Sequence, residues 1–173
     1  MRTFLGAIIS LILLSQCNND KNNNFELKIS NISAAIDDTL KEFSWNANFH
    51  MISLSLENNT DSTIQFWMNS CSWNDNFLSN DTNIYVLGPL ECPGNFPKLF
   101  TIDANNKLNF NSLLAVDDTF NLAKEIKIGF IYIKSDEESR IIEITPPVPG
   151  DSLALIRHNT HDKIIWSDPF MIK

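Results

Sequence analysis

Apolar side chains fall at every second position through most of this chain, a spacing that fits strands and not helices. Phe25, Leu27 and Ile29 alternate with Glu26, Lys28 and Ser30, and Ile52, Leu54 and Leu56 alternate with Ser53, Ser55 and Glu57. Ile64, Phe66 and Met68 repeat the pattern against Gln65, Trp67 and Asn69. Successive side chains of a strand point to opposite faces, so each segment reads as a strand with one face buried. Between the last two lies Asn58-Asn59-Thr60-Asp61-Ser62, dense in turn-forming residues, so a tight loop joins the two strands. Ile84-Tyr85-Val86-Leu87 stops at Gly88-Pro89, and Leu108 and Phe110 begin another short strand. The strongest pattern runs from Glu125 to Lys134. Ile126, Ile128, Phe130 and Tyr132 share one face and Ile131 and Ile133 the other, which predicts partial cover on both sides.

Further along, Ile141-Ile142-Glu143-Ile144 follows the acidic turn Asp136-Glu137-Glu138. Pro146-Pro147-Val148-Pro149-Gly150 forces an irregular crossing, because prolines supply no ladder donors. The last strand is expected over Ile164 to Ile172, bent at Pro169. Helix is confined to a turn or two within Ile32 to Phe43 and Leu113 to Lys124. His50, between Phe49 and Met51, reads as a strand residue facing solvent. Seven or eight short strands separated by turns specify an all-β chain folded as an antiparallel β-sandwich, with immunoglobulin-like topology as the expected arrangement. The antibody signature is missing, because Cys71 and Cys92 are too close in sequence to bridge the two sheets around a core tryptophan. Neither an internal repeat nor a second domain boundary is visible.

The N-terminus has the build of an export signal: Arg2 gives a positive start, and Phe4 to Leu14 is an apolar run interrupted by Gly6 and Ser10. About eleven residues fall short of spanning roughly 30 Å of hydrocarbon as a helix. Leu14-Ser15-Gln16-Cys17 resembles the lipobox of bacterial lipoproteins, with Gln16 standing where that family has a small residue. The resemblance implies cleavage before Cys17 and acylation of its thiol, so that 1–16 is signal peptide and multiple acyl chains hold the protein to a bilayer. The Asn-rich stretch up to Asn24 resembles, in composition alone, the tethers of lipoproteins from Bacteroidota-type bacteria. The expected organisation is therefore a lipidated tether over 17–24 and one β-sandwich domain over 25–173, placed in the cell envelope on the periplasmic face or the cell surface. About 150 residues suffice for a real core.

The formal charge is −8, with no basic cluster to offset it, so nucleic acid is not an expected partner. Three cysteines are present. If Cys17 carries lipid, Cys71 and Cys92 remain as an even pair in an oxidising compartment, and a disulfide is the natural inference. Its loop of roughly twenty residues would contribute about 3 kcal/mol. A reactive thiol or a two-cysteine metal site is the competing reading.

No motif reaches a catalytic signature. His158 and His161 form H-x-x-H without a third ligand, and read as solvated turn residues. No G-x-S-x-G elbow is present, and five glycines include no phosphate loop. Asp117-Asp118 and Asp136-Glu137-Glu138 lack the spacing that aims several carboxylates at one Ca²⁺, and read as soluble strand ends. No metal and no cofactor is expected. Trp45, Trp67 and Trp166 read as packing residues.

One segment stands apart. Cys71 to Cys92 carries Trp73, Asn74, Asp75 and Phe77, a mixture of flat apolar surface and hydrogen-bonding groups. Glycan and peptide sites are often built this way, because rigid aromatics give contact area at small entropic cost. The competing reading is a loop whose aromatics cap the sandwich. Two functions follow. The first is a non-enzymatic binding or accessory lipoprotein presenting loops to an envelope protein or glycan; the second is an envelope hydrolase acting on glycan or peptide. A cleft with two carboxylates, one of raised pKa, would favour the second.

Overall fold

In the computed structural model of the chain, residues 25–34, 47–88, 94–121, 123–137, 153, 157 and 163–172 are described. The sequence alternation becomes alternation of burial. In β2 (Ala47–Asn58), Ile52, Leu54 and Leu56 are buried while Met51 is exposed and Ser53 and Ser55 are half-buried. The other strands are β1 (Phe25–Ala34), β3 (Ile64–Asn69), β4 (Phe77–Ser79), β5 (Ile84–Leu87), β6 (Pro97–Ile102), β7 (Asn106–Asp117), β8 (Ile128–Ile131) and β9 (Ile164–Trp166). A tight helical turn, Trp73–Asn76, separates β3 from β4, and another, Ser135–Glu137, follows β8.

Every pairing is antiparallel. The first layer runs β1-β2-β7-β5. In the second, β3 pairs with β6 on one side. On its other side the Trp67 N–H donates to the Ile133 carbonyl at 2.9 Å, and Phe66 bridges to Lys134. β4 pairs with β8, placing Phe77 opposite Phe130, and β9 lies on the far side of β8. β3 and β4 are thus two pieces of one strand position, broken by the turn at Trp73–Asn76. The chain is an antiparallel β-sandwich, and its layers follow the strand order ABED and GFCC′ of immunoglobulin-like domains. It departs from that plan in one respect: β5, in the place of D, precedes β6, in the place of C′.

The inner faces meet in one core around Phe66, which is fully buried. Its ring lies 5.8 Å from Phe25, 5.3 Å from Phe130 and 6.1 Å from Tyr132, and stacks on Phe100 at 6.2 Å. The doubly apolar stretch after β8 is covered on both sides as expected. Ile133 is buried with Leu153 in a small second cluster against Trp67 and Ile131.

Several details differ from the sequence reading. Leu113 to Asp117 is strand, because β2 and β5 pair with that length of β7 on either side. β4 and β6 were not legible; the first has three residues, and the second shows no clean alternation. Pro97 is tolerated because it begins an edge strand. Regular pairing of the last strand ends at Trp166 and resumes as a single bridge between Ile126 and Phe170. The stretches 35–46, with Trp45, and 138–152, with Ile141–Ile144, lie outside the described residues, as do His158 and His161.

His50 is the clearest correction. It is 7 % exposed, because it shares the inward face of β2 with Ile52, between Ala34 and Leu114 on the flanking strands. Its Nδ1 is buried without a hydrogen-bond partner. Burial holds its pKa below the ordinary 6.5. The unfolded chain therefore binds this proton first as pH falls. The stability that His50 contributes is fully present above pH 6.5 and is lost as pH falls through the depressed folded value. Urea titrations from pH 7.5 to 5.5 should show a midpoint that declines with acidity, and His50→Leu should flatten that decline. Parallel slopes in both proteins would rule His50 out as its source.

Candidate functional site

The segment singled out in the sequence begins at a clamp. Beyond the last β3–β6 pair, the Ser70 N–H donates to the Phe96 carbonyl at 2.8 Å, and the Ser70 hydroxyl to the Gly94 carbonyl at 3.2 Å. Asn95 Oδ1 accepts from the N–H groups of Cys71 and Ser72, and its amide donates back to the Ser72 hydroxyl at 3.0 Å. The ribbon is therefore held closed by side chains where the ladder ends. Cys92 lies outside the described residues.

From this clamp the chain makes the turn Trp73–Asn76 and enters β4. Trp73 is half-buried and packs inward, its ring 4.8 Å from Phe110 and 5.9 Å edge-on from Phe77. Phe77 is buried and continues to Phe130 at 5.2 Å. These two aromatics join the core. Asn74, Asp75 and Phe77 also line a cavity of about 290 Å³ between β4 and β5, together with Leu78, Ser79, Asp81, Thr82 and Ile84 to Val86. Three of the four candidate residues thus meet at one concavity, and Trp73 supports it from behind. Phe77, Ile84 and Val86 are its buried apolar side chains, while Thr82 and Tyr85 are exposed.

The cavity is lined by two carboxylates whose pKa values are displaced in opposite directions. Burial pushes Asp75 above the usual carboxylate range, opposed by the guanidinium of Arg157, whose Nη2 lies 3.7 Å from Oδ2. Arg157 is itself buried, which lowers its pKa against the pull of Asp75, and its Nη1 reaches Asn76 Oδ1 at 3.4 Å. The Asn76 amide donates to the carbonyls of Trp67, at 3.3 Å, and Ile131, at 3.0 Å, so the turn is pinned to both neighbouring strands. Asp81 is the opposite case. The Lys124 ammonium, 2.5 Å away, and the Asn83 N–H hold its carboxyl below the usual range.

Asn76 and Arg157 carry this geometry, and neither was picked out from sequence. Arg157 is about eighty positions away along the chain, and no spacing rule connects it to the turn. Among the described residues no three His, Cys, Asp or Glu side chains gather as a metal-binding group, and no helix is long and apolar enough to cross a membrane. No protein-family model and no curated protein matches this chain.

Proposed function

We propose that this protein is an envelope lipoprotein, anchored by acylated Cys17, whose sandwich serves as a non-enzymatic binding module with the β4–β5 cleft as its ligand site. The observation that carries this reading is the convergence of Asn74, Asp75 and Phe77 on one cavity, backed by the buried Arg157–Asn76 network that fixes its wall. Rigid walls suit binding, because little freedom is lost when a ligand enters. The anchor rests on the lipobox-like Leu14-Ser15-Gln16-Cys17.

Cys92 is the proposed disulfide partner of Cys71. Gly94, two residues from Cys92, is bonded to Ser70, and two residues of chain reach about 7 Å. The bridge would close the ribbon and contribute about 3 kcal/mol. Reduction should lower the urea midpoint accordingly, and two thiols titrating in the unreduced, unfolded chain would overturn the pairing.

A second reading, hydrolysis of glycan or peptide, is favoured by one observation: a raised and a lowered carboxylate line the same cavity. Against it, Asp81 is committed to Lys124 and Asn83, and Asp75 is paired with the guanidinium of Arg157. The experiment for both is a thermal-shift and turnover screen of the acylated chain against cell-wall oligosaccharides and short peptides. A ligand that stabilises the wild type and fails with Asp75→Asn, without being cleaved, supports binding. Cleavage that disappears in Asp75→Asn supports hydrolysis, and indifference to the substitution removes the cleft from either role. The anchor has its own check: Cys17→Ser should release the protein from the membrane fraction.

A further inference from the structure

Resting on that reading of the cleft, we propose that its ligand is an extended, basic peptide that adds as a strand to the edge of β5 left open among the described residues. Among the described residues both walls of the cleft are strand edges, since β5 ends the first sheet and β4 ends the β4-β8-β9 sheet. The Asp117 N–H donates to the Asn83 carbonyl at 2.9 Å, which fixes the phase of the ladder. Hydrogen-bonded and non-hydrogen-bonded pairs alternate in antiparallel strands, so Tyr85 and Leu87 face β7 with their backbone groups while Ile84 and Val86 turn theirs outward. The Ile84 N–H is taken by the Asp81 carbonyl at 3.3 Å.

At Val86 the partner is unusual. Its carbonyl accepts from the side-chain amide of Asn74 at 3.5 Å, the limit of a hydrogen bond. That amide stands where the N–H of a neighbouring strand would stand. Gly88 gives it room: a β-carbon there would lie 2.1 Å from Asn74 Oδ1. Asn74 is therefore a loosely held substitute for an absent strand. Open edges pair readily with added chain, and in such complexes the main chain supplies affinity while alternate side chains enter pockets. Phe77, Ile84 and Val86 offer an apolar floor; Asp75 and Asp81 in the same cavity are each paired with a cation, and the attraction for a basic ligand comes from the net charge of −8 on the whole chain. The matching ligand alternates aliphatic residues with Lys or Arg, and electrostatic attraction brings it in.

The test titrates the full acylated chain, in detergent, with acetyl-Lys-Val-Lys-Val-Lys-Val-amide, with the same peptide N-methylated at alternate residues, and with chitotetraose. The unmodified peptide should bind and slow hydrogen exchange at the Val86 amide. N-methylation should weaken it about tenfold or more, because the ladder loses its donors. Asn74→Ala should tighten binding about three- to tenfold by freeing the Val86 carbonyl. Equal binding of the methylated peptide, or weaker binding to Asn74→Ala, overturns strand addition. If chitotetraose binds and neither peptide does, strand addition fails and the cleft stands as a binding site. If none of the three binds, both readings of the cleft fail together.

Discussion

Phe66→Ala is expected to lower the free energy of unfolding by about 3–5 kcal/mol. The ring is fully buried and touches aromatic partners from both layers: Phe25 of the first sheet, and Phe100, Phe130 and Tyr132 of the second. Truncation removes apolar surface and also leaves a hole that four aromatic rings cannot fill without abandoning their mutual geometry. Domains of this size are stable by about 5–15 kcal/mol, so the loss is a fifth or more of the total. Urea unfolding followed by tryptophan fluorescence measures it. Phe66→Leu, which keeps most of the volume, should cost about 1.5 kcal/mol or less. A loss below about 1 kcal/mol for the alanine variant would show that the cluster repacks and that Phe66 is not its centre.

Asn58→Asp is expected to cost about 3 kcal/mol or more at neutral pH. Asn58 is fully buried at the end of β2, and its amide donates to the carbonyls of Ser62 at 2.8 Å, Ile102 at 3.0 Å and Asp103 at 3.0 Å. Its Oδ1 accepts from the N–H and the hydroxyl of Thr60. One side chain thus ties the β2–β3 loop to the β6–β7 turn, where Asn105 takes a left-handed φ of 55° and its N–H reaches the Thr60 carbonyl. An aspartate has no amide donors and, when ionised, sets a charge against three carbonyl oxygens. Protonation relieves the charge, so Asn58→Asp should recover part of its deficit relative to wild type as pH falls toward 4. Asn58→Ala should be destabilised without that recovery. An Asn58→Asp deficit that does not change with pH would show the carboxylate has moved to water.

The division between what was legible and what was not follows from range. Alternation is a local property, so β2, β3, β5 and the region of β8 could be read directly from Ile52–Leu56, Ile64–Met68, Ile84–Leu87 and Ile126–Tyr132. The strand class and the sandwich follow from the same pattern. His50 was misread because its neighbours Phe49 and Met51 are apolar, although the phase of Ile52 and Leu54 already placed position 50 on the inner face. Weighting phase over neighbour identity would have found it. Asn58 looked like one turn former among five, and only the approach of the β6–β7 turn, some forty-five residues on, makes it a junction. At the cleft, Trp73, Asn74, Asp75 and Phe77 were picked out by composition alone. Whether an aromatic faces ligand or core depends on the opposing sheet, and Phe110 draws Trp73 inward. Arg157 and the capping role of Asn74 at Val86 are contacts of tertiary structure, and no spacing encodes them.

The position of Phe25 has a mechanical consequence. Among the described residues β1 is an edge strand with a single ladder, to β2, and it is the first strand after the proposed tether. A pull along that tether enters the fold at the weakest kind of strand, one that a ladder alone would surrender bond by bond. The Phe25 ring lies across the sandwich, 5.6 Å from Tyr132 and 6.2 Å edge-on from Phe130. It must be drawn out of the opposite layer before the pair Phe25–Asn58 can part. Resistance to force is thereby set at one aromatic rivet at the point of loading, and the long edge behind it is shielded from the peeling that would otherwise begin there.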